Sequence, residues 1–286
     1  MRLIKIIVLF LLAHALETSA FQVMTFNMKN DSVETLKTMQ EFFTSNPATK
    51  PQLVLLQEMH IRYDDQNLTD TVKDFSSILD YPYYAGISRP KDYEAVGIAS
   101  TFPFMLNPLN GKDSVWALHF KITGKHKRAA IFADFNVPKI GRLRVINTHL
   151  EHIKTNGEIR KSQMTELLDF MEHLQKIVPA DAIIFGGDLN SNKTESFYVG
   201  ELDAITTGTA TINFLDFNGT DVTSHDARRI DYIFHTPLKS PLTFERETIL
   251  FSSPILGHNS KGKTDIGALI KISDHNAVMH TFKLGK

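Results

Sequence analysis

AIIFGGDLNSN, residues 182–192, runs four apolar residues into two glycines and then sets a carboxylate, Asp188, two positions before an amide, Asn190. Alone, it is a strand entering a turn, since Gly, Asp and Asn are the residues that turns use for steric and hydrogen-bonding reasons. A strand end that aims a carboxylate and an amide at one spot is also how an α/β protein presents a site for a metal or a phosphate. Other strands separate the two readings. FQVMTFN (21–27) ends in Asn27, LVLLQE (53–58) in Glu58 and LRVINTH (143–149) in His149, each after an apolar run. Strands that share a direction bring their C-terminal residues to one edge, so these polar ends are candidates to converge with Asp188 and Asn190. Singly, Asn27 reads as a cap for the helix beginning near Asp31, Glu58 as an edge residue and His149 as a core histidine. Their recurrence across four strands argues against that set of separate explanations.

Between the strands, DSVETLKTMQEFF (31–43) opens on a capping residue and reads as a helix. GEIRKSQMTELLDFMEHLQKI (157–177) is the clearest helix, with Ile159, Gln163, Met164, Leu167, Leu168, Met171 and Leu174 forming a stripe at 3.6-residue spacing. From 81 to 137 the runs YYAGIS, YEAVGIAS, SVWALHFKI and RAAIFADFNV follow one another with turn signals and no helix between them, which predicts an antiparallel stretch. RIDYIF (229–234) and AVMHTFKL (277–284) add two more strands. Strand–helix alternation at both ends of such a meander predicts an α/β fold of mixed sheets covered by helices.

Residues 1–20, MRLIKIIVLFLLAHALETSA, place Arg2 and Lys5 before an apolar run from Ile6 to Ala13 and small residues at Thr18 and Ala20. That is the pattern of a cleaved secretory signal, and its apolar core falls short of the roughly 20 residues a membrane span needs. The expectation is a signal peptide over 1–20, one domain over 21–286, a secreted or periplasmic location and no stable membrane span. Without Arg2, Lys5 and Glu17 the net charge moves from −1 to about −2, so the chain is neither strongly basic nor strongly acidic. It has no cysteine, which excludes disulfides, cysteine–zinc sites and thiol nucleophiles. Stability must therefore come from packing, and 42% hydrophobic residues supply the material. Glycosylation sequons occur at Asn30, Asn67, Asn192 and Asn218. A glycan on Asn192 would crowd Asn190, which favours a bacterial exported protein.

The C-terminal third adds Asp231, a carboxylate inside an apolar strand, where an ionised group is expensive unless paired. His275, preceded by Asp274 in SDHNAV, is the natural partner: a carboxylate on one ring nitrogen fixes the tautomer and leaves the other for substrate or water. A set of Asn, Glu and Asp side chains with few histidines suits a hard cation, Mg²⁺ with Mn²⁺ or Ca²⁺ as alternatives. A cation held by carboxylates is the usual device for polarising phosphates, so the chemistry inferred is metal-assisted hydrolysis of a phosphate ester.

FQVMTFN, LVLLQE, INTHLE, GGDLN, RRIDYIF and SDH, in this order and spacing, resemble the endonuclease/exonuclease/phosphatase superfamily, which includes DNase I-like nucleases, abasic-site endonucleases, inositol polyphosphate phosphatases and neutral sphingomyelinases. The resemblance runs from Phe21 almost to the C-terminus. It implies a four-layer α/β sandwich of two packed mixed β-sheets flanked by helices, with the site at one end. Carried over residue by residue, it implies Asn27 and Glu58 as holders of Mg²⁺ with Asp274 near the ion. Asp188 and Asn190 would position water and phosphate. His275, oriented by Asp231, would act as general base or bind the scissile phosphate, and His149 would stabilise the phosphorane or assist the leaving group. The choice of base between Asp188 and His275 stays open.

Two other motifs lead elsewhere. GHNSKGKT (257–264) fits a phosphate-binding P-loop, but only a short segment follows it and that segment holds SDH. A dinuclear histidine-rich phosphatase would need Asp-x-His and Gly-Asn-His motifs, and neither is present. A non-catalytic module of the same fold would be expected to have lost a ligand or the histidine, and none is missing. Substrate is less legible. GKHKR (124–128), Arg142 with Arg144, Arg160–Lys161 and Arg228–Arg229 are candidates to neutralise DNA phosphates, although such pairs commonly mark solvated surface. Arg89, Lys261 and Lys263 are further candidates for substrate contact. The expectation is a monomeric DNA endonuclease, with a phosphoesterase acting on phospholipid, sphingomyelin, inositol phosphate or another small ester as the alternative.

Overall fold

The computed structural model describes residues 20–29, 32–63, 68–89, 92–107, 111, 114–215, 221–239, 242–252, 255–256, 269–270 and 272–284. Nearly all of the expected signal peptide, the segment 257–264 with Lys261 and Lys263, and the side chain of Arg89 lie outside the described residues. In chain order come β1 (Phe21–Asn27), α1 (Val33–Ser45), β2 (Leu53–Tyr63), β3 (Leu68–Asp70), α2 (Thr71–Ile78), β4 (Tyr83–Arg89), β5 (Asp92–Ser100), β6 (Val115–His119), β7 (Ala129–Val137) and β8 (Gly141–His149). Then follow α3 (Gly157–Ile177), β9 (Ala182–Asp188), α4 (Asp203–Thr207), β10 (Asp231–Thr236), β11 (Leu242–Leu250), the short pair β12 (Ile255–Leu256) and β13 (Leu269–Ile270), and β14 (Ala277–Leu284).

A seven-stranded sheet has the order β11-β14-β1-β2-β5-β4 with β3 beside β2, and a five-stranded sheet the order β10-β9-β8-β7-β6. Each contains one parallel pair, β1–β2 and β8–β9. Those are the places where α1 and α3 lie between consecutive strands, because a parallel return needs a crossover that a hairpin cannot supply. The 81–137 run does pair antiparallel, as β4–β5 and as β6–β7–β8. It is divided, however: β4 and β5 belong to the first sheet and β6 to β8 to the second.

Strand alternation sends one face of each sheet to helices and the other to the opposite sheet. Met24, Phe26, Val54 and Leu56 pack with Leu36 and Met39 of α1 and Val72 and Phe75 of α2. Phe132, Ile146, Ile183 and Phe185 pack with Met164, Leu167 and Met171 of α3. Val23, Leu55, Ile98, Ile131, Val145 and Ile184 fill the space between the sheets. The layers are helix, sheet, sheet, helix, as the resemblance implied. Each large apolar side chain fully removed from water contributes about 1.5–3 kcal/mol.

The helix ends have local causes. Ser32 caps α1 by accepting from the backbone N–H of Thr35, one residue later than the cap expected from sequence. In α3 the stripe holds from Gln163 to Leu174, but Ile159 is half-exposed and Arg160 is buried in its place. The Arg160 guanidinium donates to the carbonyls of Glu151, Ile153 and Lys154 and to Glu201, and so ties the β8–α3 loop to the helix.

On the face between the sheets, four strands turn polar toward the same end. β1 reads Phe21, Val23, Thr25, Asn27; β2 reads Leu53, Leu55, Gln57; β8 reads Leu143, Val145, Asn147, His149; β9 reads Ala182, Ile184, Gly186, Asp188, all of them buried. The apolar first halves bond the sheets together and the polar second halves form the site.

Candidate active site

Asn27 links the two sheets: its Nδ2 donates to Glu58 Oε1 at 2.9 Å and to Asp188 Oδ2 at 3.0 Å. The other oxygen of Asp188 accepts from the backbone N–H of Asn190 at 2.9 Å, an Asx turn that locks the carboxylate on the strand end. That turn places Asn190 at φ 49°, the left-handed region that Asn tolerates. Its own Nδ2 donates to the carbonyl of Leu150 at 3.2 Å, holding the turn against the end of β8. Gly187 lies at φ +138°, and a Cβ there would sit 1.9 Å from the carbonyl oxygen of Thr148. Glycine is therefore required for β9 to run this close to β8 as it delivers Asp188.

Glu58 reaches the site by breaking the alternation. Leu53, Leu55 and Gln57 face the opposite sheet, so regular pleating would turn Glu58 outward with Val54 and Leu56. The β2–β5 ladder shifts register between Leu56 and Met59: Leu56 pairs Gly97 and Met59 pairs Ala95, leaving Gln57 and Glu58 opposite the single residue Val96. At this bulge Glu58 takes φ 55°, and its carboxylate turns back to Asn27. Beyond the bulge the outward face resumes one residue out of step, at Met59 and Ile61.

Asp231 and His275 meet as the sequence suggested. His275 Nδ1 lies 2.9 Å from Asp231 Oδ2, and its Nε2 faces Asp188 Oδ2 at 3.8 Å. The backbone N–H of His275 donates to Ser273 Oγ, which donates to the carbonyl of Asn27, so the ring is fixed from the first sheet. Burial works against charge on His275, but Asp231, Asp188 and Asp274 outweigh it and raise its pKa to about 10. Burial, with the like charge of Asp231 next, pushes Asp188 up to about 7 against the pull of His275 and Asn27.

His149 has the opposite character. Burial and then the neighbouring Arg128 push its pKa well below the usual imidazole value. Arg128 approaches Nδ1 at 3.0 Å, and a guanidinium can only donate. Nδ1 is therefore the acceptor and Nε2 carries the hydrogen, 3.5 Å from Asp188 Oδ2. Arg128 is itself paired with Glu94 of β5. The result is one imidazolium and one neutral N–H donor, both pointing at the same carboxylate.

Glu58, Arg128, His149, Asp188, Asn190 and His275 line a cleft of about 270 Å³, with Asn27 and Asp231 fully buried. Asp274 lines it too, with its carboxylate paired to Lys29; burial opposes its charge, but Lys29 and His275 hold its pKa below the ordinary carboxylate value. Among the described residues, Glu58, His149 and Asp188 offer ligand atoms all within 4.8 Å of one another, as do Asp188, Asp231 and His275. The second set already satisfies itself through the Asp231–His275 bond. In the first set His149 presents an N–H and is no ligand, but the carboxylates of Glu58 and Asp188, with Asp231 Oδ1 buried behind them and without a partner among the described residues, leave negative charge that fits a hard divalent cation.

The basic side chains divide sharply. Arg128 and Arg228 line the cleft. Arg144, Arg160 and Arg229 are buried in pairs with Asp134, Glu201 and Glu247, and are not available as the solvated phosphate contacts considered from sequence. Lys29, Glu94 and the specific role of Arg128 escaped the sequence reading. The available signal was that Arg128 directly precedes β7, the strand beside β8, and that Glu94 lies near the start of β5 in the opposite sheet.

The endonuclease/exonuclease/phosphatase family model matches residues 24–275. No curated protein matches the sequence. Among solved structures, the chain is similar to an endonuclease/exonuclease/phosphatase from Beutenbergia cavernae, at 18% identity over 93% of this chain and 72% of that one, with a TM-score of 0.65. It is similar to D. rerio TDP2 complexed with single-strand DNA product, at 16% identity over 93% and 99% of the two chains and a TM-score of 0.62. It is also similar to the human Nocturnin catalytic domain with bound sulfate, at 18% identity over 93% and 94% and a TM-score of 0.60.

Proposed function

Since the chain belongs to the endonuclease/exonuclease/phosphatase family, whose members are metal-dependent hydrolases of phosphate esters, we propose that it is an exported nuclease that cleaves phosphodiester bonds in DNA with Mg²⁺, or with Mn²⁺ or Ca²⁺ in its place. Asn27 and Glu58 would hold the ion, with Asp274 as the further carboxylate of the cleft. Bound there, it would neutralise charge on the phosphate oxygens.

The reading rests on one observation: the Asp188 carboxylate faces the cleft between His275 Nε2 at 3.8 Å and His149 Nε2 at 3.5 Å. Burial and the like charge of Asp231 raise the basicity of this carboxylate above that of an ordinary aspartate, so Asp188 takes the proton of the attacking water. As the new P–O bond forms and the ester P–O bond breaks, His275 hydrogen-bonds a non-bridging oxygen through Nε2–H, and His149, staying neutral, hydrogen-bonds the departing oxygen through Nε2–H while that oxygen takes its proton from solvent water. Asp231 keeps His275 charged and oriented, and Asn190 fixes Asp188 through its backbone N–H. In the cleft Ile230 is the one apolar lining residue among the described residues, a surface suited to a hydrated sugar–phosphate. The DNA product bound by the TDP2 structure is the source of the substrate choice within that class.

Export rests on the charged start and apolar run of residues 1–20. Among the described residues no helix is long and apolar enough to cross a membrane. The test is a panel of plasmid DNA, RNA, inositol phosphates and sphingomyelin, each with Mg²⁺, Mn²⁺ or Ca²⁺, on protein secreted by a host that processes signals. DNA nicking that stops on chelation and in Asp188→Ala and His275→Ala, by a protein whose first residue is Phe21, is the expected result. Turnover of lipid or inositol phosphate with DNA intact would overturn the nuclease assignment.

A further inference from the structure

The bulge that turns Glu58 into the cleft is held from the other sheet. Asn147 of β8, fully buried, spends both hydrogens of its Nδ2 on the carbonyls of Leu56 and Gly97, each at 2.8 Å. Leu56 and Gly97 are the last registered pair of the β2–β5 ladder before the shift. The Oδ1 of Asn147 accepts from Gln57 Nε2 at 2.7 Å, and the same Nε2 donates to Thr25 Oγ1 of β1 at 3.0 Å. One carboxamide thus grips the residue before the bulge, the first residue within it and the strand opposite. No sequence-local interaction does this: Asn147 lies 91 residues from Leu56 and 50 from Gly97.

A non-glycine residue at φ 55° is held there only where its surroundings over-determine it. Here the apolar neighbours do not supply the grip, because Val145 and Leu55 on the same faces only fill space. The buried amide also has an obvious cost, since a polar group between two sheets is stable only when its hydrogen bonds are made. Asn147 makes three, and all three converge on the bulge.

We propose that Asn147 is a positioning residue for the metal site: it holds the β2 bulge that turns the Glu58 carboxylate toward the cation. The proposal rests on the reading of Glu58 as a metal ligand. Loss of the clamp lets β2 relax toward regular pleating, which carries the carboxylate to the outer face and weakens metal binding while the rest of the site stays in place.

The test is calorimetric titration of Mn²⁺ into the metal-free full chain, with melting temperature followed alongside. Asn147→Ala is expected to weaken Mn²⁺ binding by about 10–100-fold, as loss of a residue that orients a ligand typically does. Val145→Ala, one pleat away on the same face, is expected to lower the melting temperature and leave the Mn²⁺ affinity unchanged, which separates positioning from loss of core. In a Glu58→Gln background, Asn147→Ala is expected to cause no further loss, because both act through the same carboxylate. If Asn147→Ala does not fold, Gln57→Met removes one arm of the clamp and is expected to weaken Mn²⁺ several-fold. Wild-type affinity in folded Asn147→Ala, or in Gln57→Met where that is the variant that folds, overturns the proposal, as do additive losses in the double variant. Wild-type affinity in Glu58→Gln overturns instead the reading of Glu58 as a ligand.

Discussion

β8 carries two clusters of buried charge about 17 Å apart along the strand, one at Arg144 and one at His149, and the two are built to different rules. At Arg144 both carboxylate oxygens are paired and the centre of the cluster is sealed from solvent: Asp134 accepts from Arg144 Nε and Nη2, each at 2.9 Å, and from Arg142 at 3.2 Å, while Arg144 also donates to the carbonyl of Val178 and lies over the ring of Trp116, its Nη1 alone lacking a hydrogen-bond partner among the described residues. At His149 two carboxylates, Asp188 and Asp231, share a space with one imidazolium, one oxygen of Asp231 has no partner among the described residues, and the group opens to a cleft. Burial of charge is common to both. What separates a structural cluster from a reactive one is residual charge of one sign facing a place where something can enter.

The widest separation is expected from paired substitutions. Asp188→Ala should lower kcat by about 10²–10⁴-fold, the range for a lost proton acceptor, with little change in melting temperature. Asp134→Ala should do the reverse, costing about 3–5 kcal/mol of stability by stranding two guanidiniums, with kcat per folded molecule unchanged. Denaturant titration and steady-state kinetics on the same preparations check both, and equal effects on both quantities would erase the distinction.

A third buried group extends the comparison to pH. His235 is buried between Phe244 and Phe282 with neither ring nitrogen partnered among the described residues, and burial, with His280 adding to it, pushes its pKa down to about 4. The folded state therefore prefers the neutral ring. Above pH 6.5 both states are neutral and nothing is lost; as pH falls from 6.5 to 4 the unfolded chain binds the proton first. The expected loss is roughly 3 kcal/mol by pH 4, and His235→Phe should remove that part of the acid sensitivity. Cation binding should show the opposite preference for cluster: Mn²⁺ at a hundredfold excess over Kd should stabilise the wild type by about 2.7 kcal/mol. A calorimetric scan should show this shift lost in Glu58→Gln and kept in His235→Phe.

The sequence carried much of this architecture because the strands that build the site are buried on both faces and so read as unbroken apolar runs. β1, β9, β14 and α3 have the bounds expected from their pattern. Asn27, His149 and Asp188 stand at their strand ends in phase with the inner face, and the pairing of Asp231 with His275 follows from the cost of an unpaired carboxylate. Glu58 is different. Its strand position was legible, but alternation places it on the wrong face, and only the resumption of the outer apolar pattern at Met59 and Ile61 instead of 58 and 60 betrays the bulge. α2, with Val72 and Phe75 as its buried apolar anchors, is too short for periodicity to announce. β11, LTFERETIL, reads as charged because it is an edge strand with much of its length exposed. Arg144 and Arg160 looked like surface because the carboxylates that bury them, Asp134 and Glu201, lie on other elements, and pairing across elements is not written in spacing.

The most direct measurement is hydrolysis of bis(p-nitrophenyl) phosphate by chelator-stripped protein as Mg²⁺ or Mn²⁺ is returned. The account predicts no turnover without metal, saturable recovery in the wild type and no recovery in Asp188→Ala. Turnover in excess chelator equal to that with metal, or wild-type recovery in Asp188→Ala, would contradict it.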